Sequence, residues 1–220
     1  MKVNCEELSS EDISGIKDAV ANRKPVDFYC HILTPEQKTR FQKILSLFLE
    51  ECKQTYLYNY LSYCLLELLD NASKANAKRV YFQEHHLDIN NESDYKAGMK
   101  EFKEKLSDNH YINELETGML QVHLQLSAND VISMTVSNNT KITNSEYQRI
   151  QEKIEKTKEY SDMADAFGDI DQTEGSGLGI ITVIIMLKKL GLNTDNLKFQ
   201  TTDKETVATI EVPKDSLQEL

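Results

Sequence analysis

Apolar residues recur at intervals of three and four from residue 9 to residue 76, and further along the chain the period changes to two. Residues 9 to 22 open on serine, which accepts hydrogen bonds well at a helix start, and repeat apolar positions at helical spacing. Lys24-Pro25 ends this helix. Val26-Asp-Phe28-Tyr-Cys30 then alternates as a brief strand, and Thr34-Pro35 is a helix start with the hydroxyl at the cap and proline in the first turn. The helix from Pro35 carries Phe41, Ile44, Leu45, Phe48 and Leu49 to about Cys52. A second helix runs through Tyr56, Tyr60, Leu61, Leu65 and Leu68 to Asn71. The Tyr56, Tyr60, Tyr63 stripe has helical spacing and is expected in the core or on a packing surface.

Downstream, the segments 78–83, 120–126, 131–136, 197–201 and 206–212 alternate as strands. Ala128-Asn129-Asp130 and Asp203-Lys204-Glu205 supply the turns of two hairpins. His85 and His86 would then stand at a strand end and point to opposite faces, which argues against joint metal ligation. Residues 91–118 are expected as an inserted helix with loops. Residues 143–167 form a charged amphipathic stretch carrying Ile150, Ile154 and Tyr160, placed as a movable cover within a lid spanning 139–174.

With 220 residues, 40% of them hydrophobic, the chain can bury one substantial core. The 36 acidic residues outnumber the 25 basic ones, for a formal charge of −11, and no cluster of Lys and Arg is long enough to track a phosphate backbone. Nucleic acid is therefore not an expected partner. Cys5, Cys30, Cys52 and Cys64 show no C-x-x-C spacing and read as reduced thiols, which points to the cytoplasm. The first residues lack an apolar signal core, and the run Leu178 to Leu187 is about half of the roughly 20 residues that a membrane span needs. No membrane anchor is expected.

Two segments carry the chemistry. Within the helical run, spacings of four and three place Glu67, Asn71 and Lys74 on one face, offering a carboxylate, an amide oxygen and an ammonium together. A hundred residues later, Gly175-Ser176-Gly177-Leu178-Gly179 leads directly into the apolar run Ile180 to Leu190. The free N–H groups of such a loop and the positive end of the following helix meet at one spot, which suits a phosphate. Hard oxygens for Mg²⁺, backbone donors and a lysine for the anion describe a nucleoside-triphosphate pocket.

The succession of Glu67-x-x-x-Asn71-Ala-x-Lys74, a hairpin ending near Val136-Ser-Asn138-Asn139, a helical lid, Gly-Ser-Gly-Leu-Gly-Ile and a final strand closing at Pro213 resembles the ATP-binding domain of histidine kinases and their relatives. These form the GHKL superfamily. The resemblance covers residues 54–214 and implies the Bergerat fold: an α/β (α+β) two-layer sandwich, with a mixed, mostly antiparallel sheet covered by helices. It divides the chain into an N-terminal helical extension, 1–53, and an ATP-binding domain, 54–220. Asn71 resembles the Mg²⁺-ligating asparagine, Lys74 a phosphate contact, and Glu67 the carboxylate that positions or deprotonates the attacking nucleophile. Gly175, Ser176, Gly177, Leu178 and Gly179 match the glycine box that wraps the triphosphate. Mg²⁺ and ATP are the implied cofactor and ligand.

The chain departs from this pattern at Asn138-Asn139-Thr140, where the superfamily carries Asp-x-Gly. An amide oxygen at Asn138 can still accept from the exocyclic amine of adenine, without the charge that roughly doubles such a bond. Replacing Asn138 by Asp is accordingly expected to tighten ATP. Thr140 forgoes the conformational freedom of glycine. His31-Ile-Leu-Thr-Pro35 resembles a His-x-x-x-x-Pro phosphoacceptor box but is one residue short, so a separate protein is the expected phosphorylation target. Self-association through the helices of residues 35–76 is a further expectation. The alternative from another class is a nucleotide-sensing module that signals without turnover.

Overall fold

A computed structural model describes residues 8–105, 120–160, 165 and 178–214. Helices α1 (Ser10–Ala21), α2 (Pro35–Glu51), α3 (Tyr58–Glu84), α4 (Glu92–Lys105), α5 (Asn144–Lys156) and α6 (Leu178–Lys189) accompany strands β1 (Val26–Cys30), β2 (Val122–Ala128), β3 (Val131–Asn138), β4 (Leu197–Thr201) and β5 (Thr206–Pro213). The strands lie in the order β1-β2-β3-β5-β4, and among the described residues every pairing is antiparallel, in line with the mixed, mostly antiparallel sheet expected but without a parallel pair. One sheet face is apolar, with Leu124, Leu126, Met134, Val136 and Ile210 buried against Leu61, Leu65 and Leu69 of α3, Phe41 and Phe48 of α2, and Val183 and Ile184 of α6. The other face carries Asp27, His123, Gln125, Thr135 and Thr209, which hydrogen-bond to one another across the strands. The result is a two-layer α+β sandwich.

The predicted caps form. Ser9 accepts from the Asp12 N–H and Thr34 from the Gln37 N–H, each satisfying a donor that the first helical turn leaves open. Three helix ends share a device without glycine. Arg23, Lys53 and His86 adopt φ of 52°, 58° and 52° just past α1, α2 and α3. The next N–H then reaches back to close each helix: Lys24 to Ala19, Gln54 to Leu49, and Leu87 to Phe82.

Two expectations are corrected. Segment 78–83, read as a strand, is the last part of the 27-residue helix α3. Six residues of mixed polarity fit either period, and here Ala77, Tyr81 and Phe82 face α4, where Met99 and Phe102 bury them. His85 and His86 accordingly cap a helix, with the His85 ring stacked on Tyr81 at 4.0 Å. One edge of the sheet is β1, which pairs with β2 from Val26–Leu126 to Cys30–Val122. Residues 8–53 are thus no appended extension: they supply a strand of the sheet and, through Ile16, Phe41 and Phe48, part of its core.

The tyrosine stripe also differs from expectation, since Tyr56 and Tyr63 are 45% and 60% exposed. Leu57, Leu61, Cys64 and Leu65 take the buried side of that turn instead. Cys30, Cys52 and Cys64 are free thiols, and burial pushes their pKa values up to about 11, 11 and 12. Among the described residues, no helix is long and apolar enough to cross a membrane.

Candidate functional site

Where α3 leaves the sheet, its polar face looks onto a cavity of about 330 Å³. Glu67, Asn71 and Lys74 line it from α3, Asn138 from the end of β3, and Gly179 from the first turn of α6. Residues that lie more than a hundred positions apart thus converge on one space. Leu178 does not join them: its side chain packs with Ile181, Ile185 and Tyr160 on the far side of α6. Gly175, Ser176 and Gly177 lie outside the described residues, as do parts of the expected insert 91–118 and lid 139–174.

The contact between α3 and α6 is close. Cys64 Sγ donates to the Val183 carbonyl at 3.8 Å, and one helical turn further along, Gly179 faces the tips of Glu67 and Asn71. A Cβ at position 179 would stand 2.5 Å from Glu67 Oε2, so an added side chain would have to displace the Glu67 carboxylate.

Among the described residues lining the cavity, six are cationic (Lys74, Lys78, Arg79, Lys103, Arg149 and Lys153) and two are anionic. In a chain of formal charge −11, cations thus outnumber anions in this lining. Beside Asn71, Asn138, Thr140 and Thr206, most of the remaining lining is apolar, including Val136, Ile180, Phe199 and Ala208. Cationic and apolar side chains around one space suit a ligand with an anionic end and a flat apolar end.

Lys78, Arg79 and Glu146 carry a part of the site that the sequence reading missed. Glu146 is buried and forms ion pairs with Lys78 and with Arg79, the latter at 2.7 Å. It also completes a capping box at the start of α5: Thr143 N–H donates to Glu146 Oε2 at 2.9 Å, and Glu146 N–H to Thr143 Oγ1 at 3.2 Å. Burial by itself would raise the Glu146 pKa, but the two adjacent cations outweigh it and hold the carboxyl far below its ordinary range. The spacing Thr143-x-x-Glu146 was the available signal.

The other end of α5 is fixed as well. Lys188 Nζ donates to the carbonyls of Thr157, Lys158 and Tyr160 at 2.6, 3.2 and 2.7 Å, satisfying acceptors that a helix end leaves open. The described part of the expected movable cover is therefore tied down at both ends.

The departure at Asn138-Asn139-Thr140 has its own structure. Asn76, 1% exposed, donates through Nδ2 to the Gln121 carbonyl at 3.1 Å. Its Oδ1 accepts from Asn138 Nδ2 at 3.1 Å and from Thr140 Oγ1 at 3.3 Å, and Asn138 Nδ2 donates also to Thr140 Oγ1 at 2.6 Å. Thr140 holds an ordinary negative φ, so no glycine-only conformation is needed there. Asn139 Oδ1 accepts from the Gln121 N–H at 2.6 Å, extending the β2–β3 ladder by one rung.

His31 lies in the loop after β1, with Nδ1 donating to the Leu120 carbonyl at 2.8 Å, and is not on a helix. Among the described residues, no group of three His, Cys, Asp or Glu side chains could hold a metal ion.

The chain is 33% identical over 215 residues to an "Uncharacterized protein" of Treponema pallidum (strain Nichols), a match that takes in 96% of this chain and 42% of that protein. It thus spans about two fifths of the length of this relative. No protein-family profile and no solved structure matches the chain.

Proposed function

We propose that the chain is a Mg²⁺- and ATP-binding signalling domain of the histidine-kinase-like type that phosphorylates a separate protein in the cytoplasm. One observation carries the proposal: Glu67, Asn71, Lys74, Asn138 and Gly179, singled out by motif, line a single cavity rich in cations. The helix motif and Gly179, more than a hundred positions apart, line the same space.

The residues fit the expected ligand part by part. Lys74 and the N-terminus of α6 take the phosphates, as a point charge and as a positive dipole end. The apolar lining residues Val136, Ile180 and Ala208 take the base. Glu67 Oε2 faces Gly179 at the start of α6 with the Asn71 amide beside it, and the carboxylate and amide oxygens of these two cavity residues are hard donors suited to a dication that keeps most of its ligands as water and phosphate. Mg²⁺ held there by Asn71 would neutralise charge on the phosphates.

Glu67 orients the attacking hydroxyl and accepts its proton. Almost all the catalysis assigned to the site is positioning and charge stabilisation. The acceptor is a separate protein, because His31 sits in a loop with Nδ1 committed to a backbone carbonyl. Association through the helices of residues 35–76 belongs to the same proposal, with exposed Tyr56 and Tyr63 near the start of α3 as the surface available.

A second reading, a nucleotide sensor without turnover, is favoured by the uncharged Asn138 and by the anchoring of α5 to both α3 and α6. Titration calorimetry with a non-hydrolysable ATP analogue, with and without Mg²⁺ and beside the GTP analogue, tests the binding common to both. Mg²⁺-dependent, ATP-selective binding is the expected result, and binding of neither nucleotide overturns the proposal. Phosphate release or transfer from ATP then separates kinase from sensor.

A further inference from the structure

The chain Gln121–Asn76–Asn138 has a direction. A backbone carbonyl can only accept, so the Gln121 carbonyl, 3.1 Å away, obliges Asn76 to turn its Nδ2 toward it and its Oδ1 toward Asn138. With Asn76 Oδ1 facing it at 3.1 Å, Asn138 must in turn present Nδ2. Inverting either amide would set two oxygens, or two N–H groups, against each other. Both Nδ2 hydrogens of Asn138 are then committed, one to Asn76 Oδ1 and one to Thr140 Oγ1. What Asn138 can offer a ligand in the cavity that it lines is its Oδ1, an acceptor.

An unsupported asparagine has no such bias, because turning its amide over exchanges donor for acceptor. That ambiguity matters at a purine, where position 6 carries a donor in adenine and an acceptor in hypoxanthine or guanine.

We propose that Asn76 is a specificity-determining positioning residue: by locking Asn138 as an acceptor, it selects 6-aminopurine over 6-oxopurine nucleotides. This rests on the nucleotide-binding reading above. Asn76 need not touch the ligand, and Thr140, placed where the superfamily has glycine, acts as the second clamp on the same amide.

The test compares ATP with ITP, which differs at position 6 and in the N1 proton that follows from it, as non-hydrolysable analogues with Mg²⁺. Wild type is expected to favour ATP by about tenfold or more, the scale of one hydrogen bond exchanged for an acceptor–acceptor clash. Asn76→Leu removes the anchor, and Asn76→Ser replaces it with a hydroxyl that can donate or accept. Either folded variant, its thermal melt matched against wild type, is expected to bring the ATP/ITP ratio to within about threefold. Asn76→Ser keeps a small polar group at the site should Asn76→Leu fail to fold.

Wild-type preference for ATP with an unchanged ratio in the folded variants overturns the role of Asn76 and leaves the nucleotide-binding reading standing. Wild-type binding of both nucleotides alike also overturns it. Binding of neither overturns both.

Discussion

Gly179 and Glu67 occupy the same space from two helices: a methyl group on the glycine would lie 2.5 Å from Glu67 Oε2 and 3.6 Å from Asn71 Nδ2. The neighbours of this glycine are the two side chains that the proposed chemistry uses. Because the obstructing atom is the end of a flexible side chain, Gly179→Ala should cost less than about 1 kcal/mol of stability as Glu67 swings aside. Transfer from ATP should nevertheless fall roughly tenfold to a hundredfold, since displacement by about 1 Å is enough for that. A thermal melt and a turnover assay on one preparation check both halves; unchanged turnover would remove Glu67 from the mechanism.

Asn71, exposed on the cavity side of α3, is the proposed protein ligand for Mg²⁺. Asn71→Ala should abolish the gain in nucleotide affinity on adding Mg²⁺ and leave metal-free binding within about threefold of wild type. Paired calorimetric titrations read this directly. A variant that still responds to Mg²⁺ would move the metal site elsewhere.

For Asn138→Asp the structure reverses the simple expectation of tighter ATP binding. The new carboxylate would face Asn76 Oδ1, now 3.1 Å from an amide donor, and Asn76 cannot turn over without losing the Gln121 carbonyl. We expect the single variant to lose about 1 to 3 kcal/mol of stability, the cost of an unmatched buried polar pair, with no gain in ATP affinity. Adding Asn76→Thr, whose hydroxyl can donate to the carboxylate, should restore stability and bring the tightening. The double-mutant cycle measures the coupling, and additive effects would mean that the two side chains do not communicate.

Glu146 ties α5 to α3 through Lys78 and Arg79, both cavity residues. Glu146→Gln removes the buried carboxylate that Lys78 and Arg79 share and should cost about 3 to 5 kcal/mol, or of order 10 °C in Tm. Since the folded-state pKa of Glu146 lies below its ordinary value of 4.5, its contribution is complete above that pH and drains away as pH falls beneath it. Melting curves of wild type and Glu146→Gln should therefore lie well apart at pH 7 and converge as pH falls below about 4. A gap that persists in acid would show that the carboxylate charge is not what holds α5.

Much of this was legible along the chain, and unevenly. The capped starts of α1 and α2 were readable because Ser9 and Thr34 act on N–H groups two or three residues away. The β2–β3 hairpin was readable from its alternation and short turn. The helix ends at Arg23, Lys53 and His86 were not fully marked, since each places a residue with a Cβ where glycine is the usual sign. The strand assigned to 78–83 failed for a different reason: the helix continues because Tyr81 and Phe82 find Met99 and Phe102, which arrive from a later helix.

By itself the sequence determined the chemistry on offer. The face shared by Glu67, Asn71 and Lys74 follows from helical spacing alone. Tertiary structure decided what surrounds them. It brought six cations to one cavity, buried Glu146 between Lys78 and Arg79, built residues 8–53 into the sheet, and gave Asn138 its direction through Asn76. Spacing fixes which side chains share a face because one helix turn separates them. Charge, burial and amide orientation depend on groups from distant parts of the chain, and only folding sets those within 3 Å of one another.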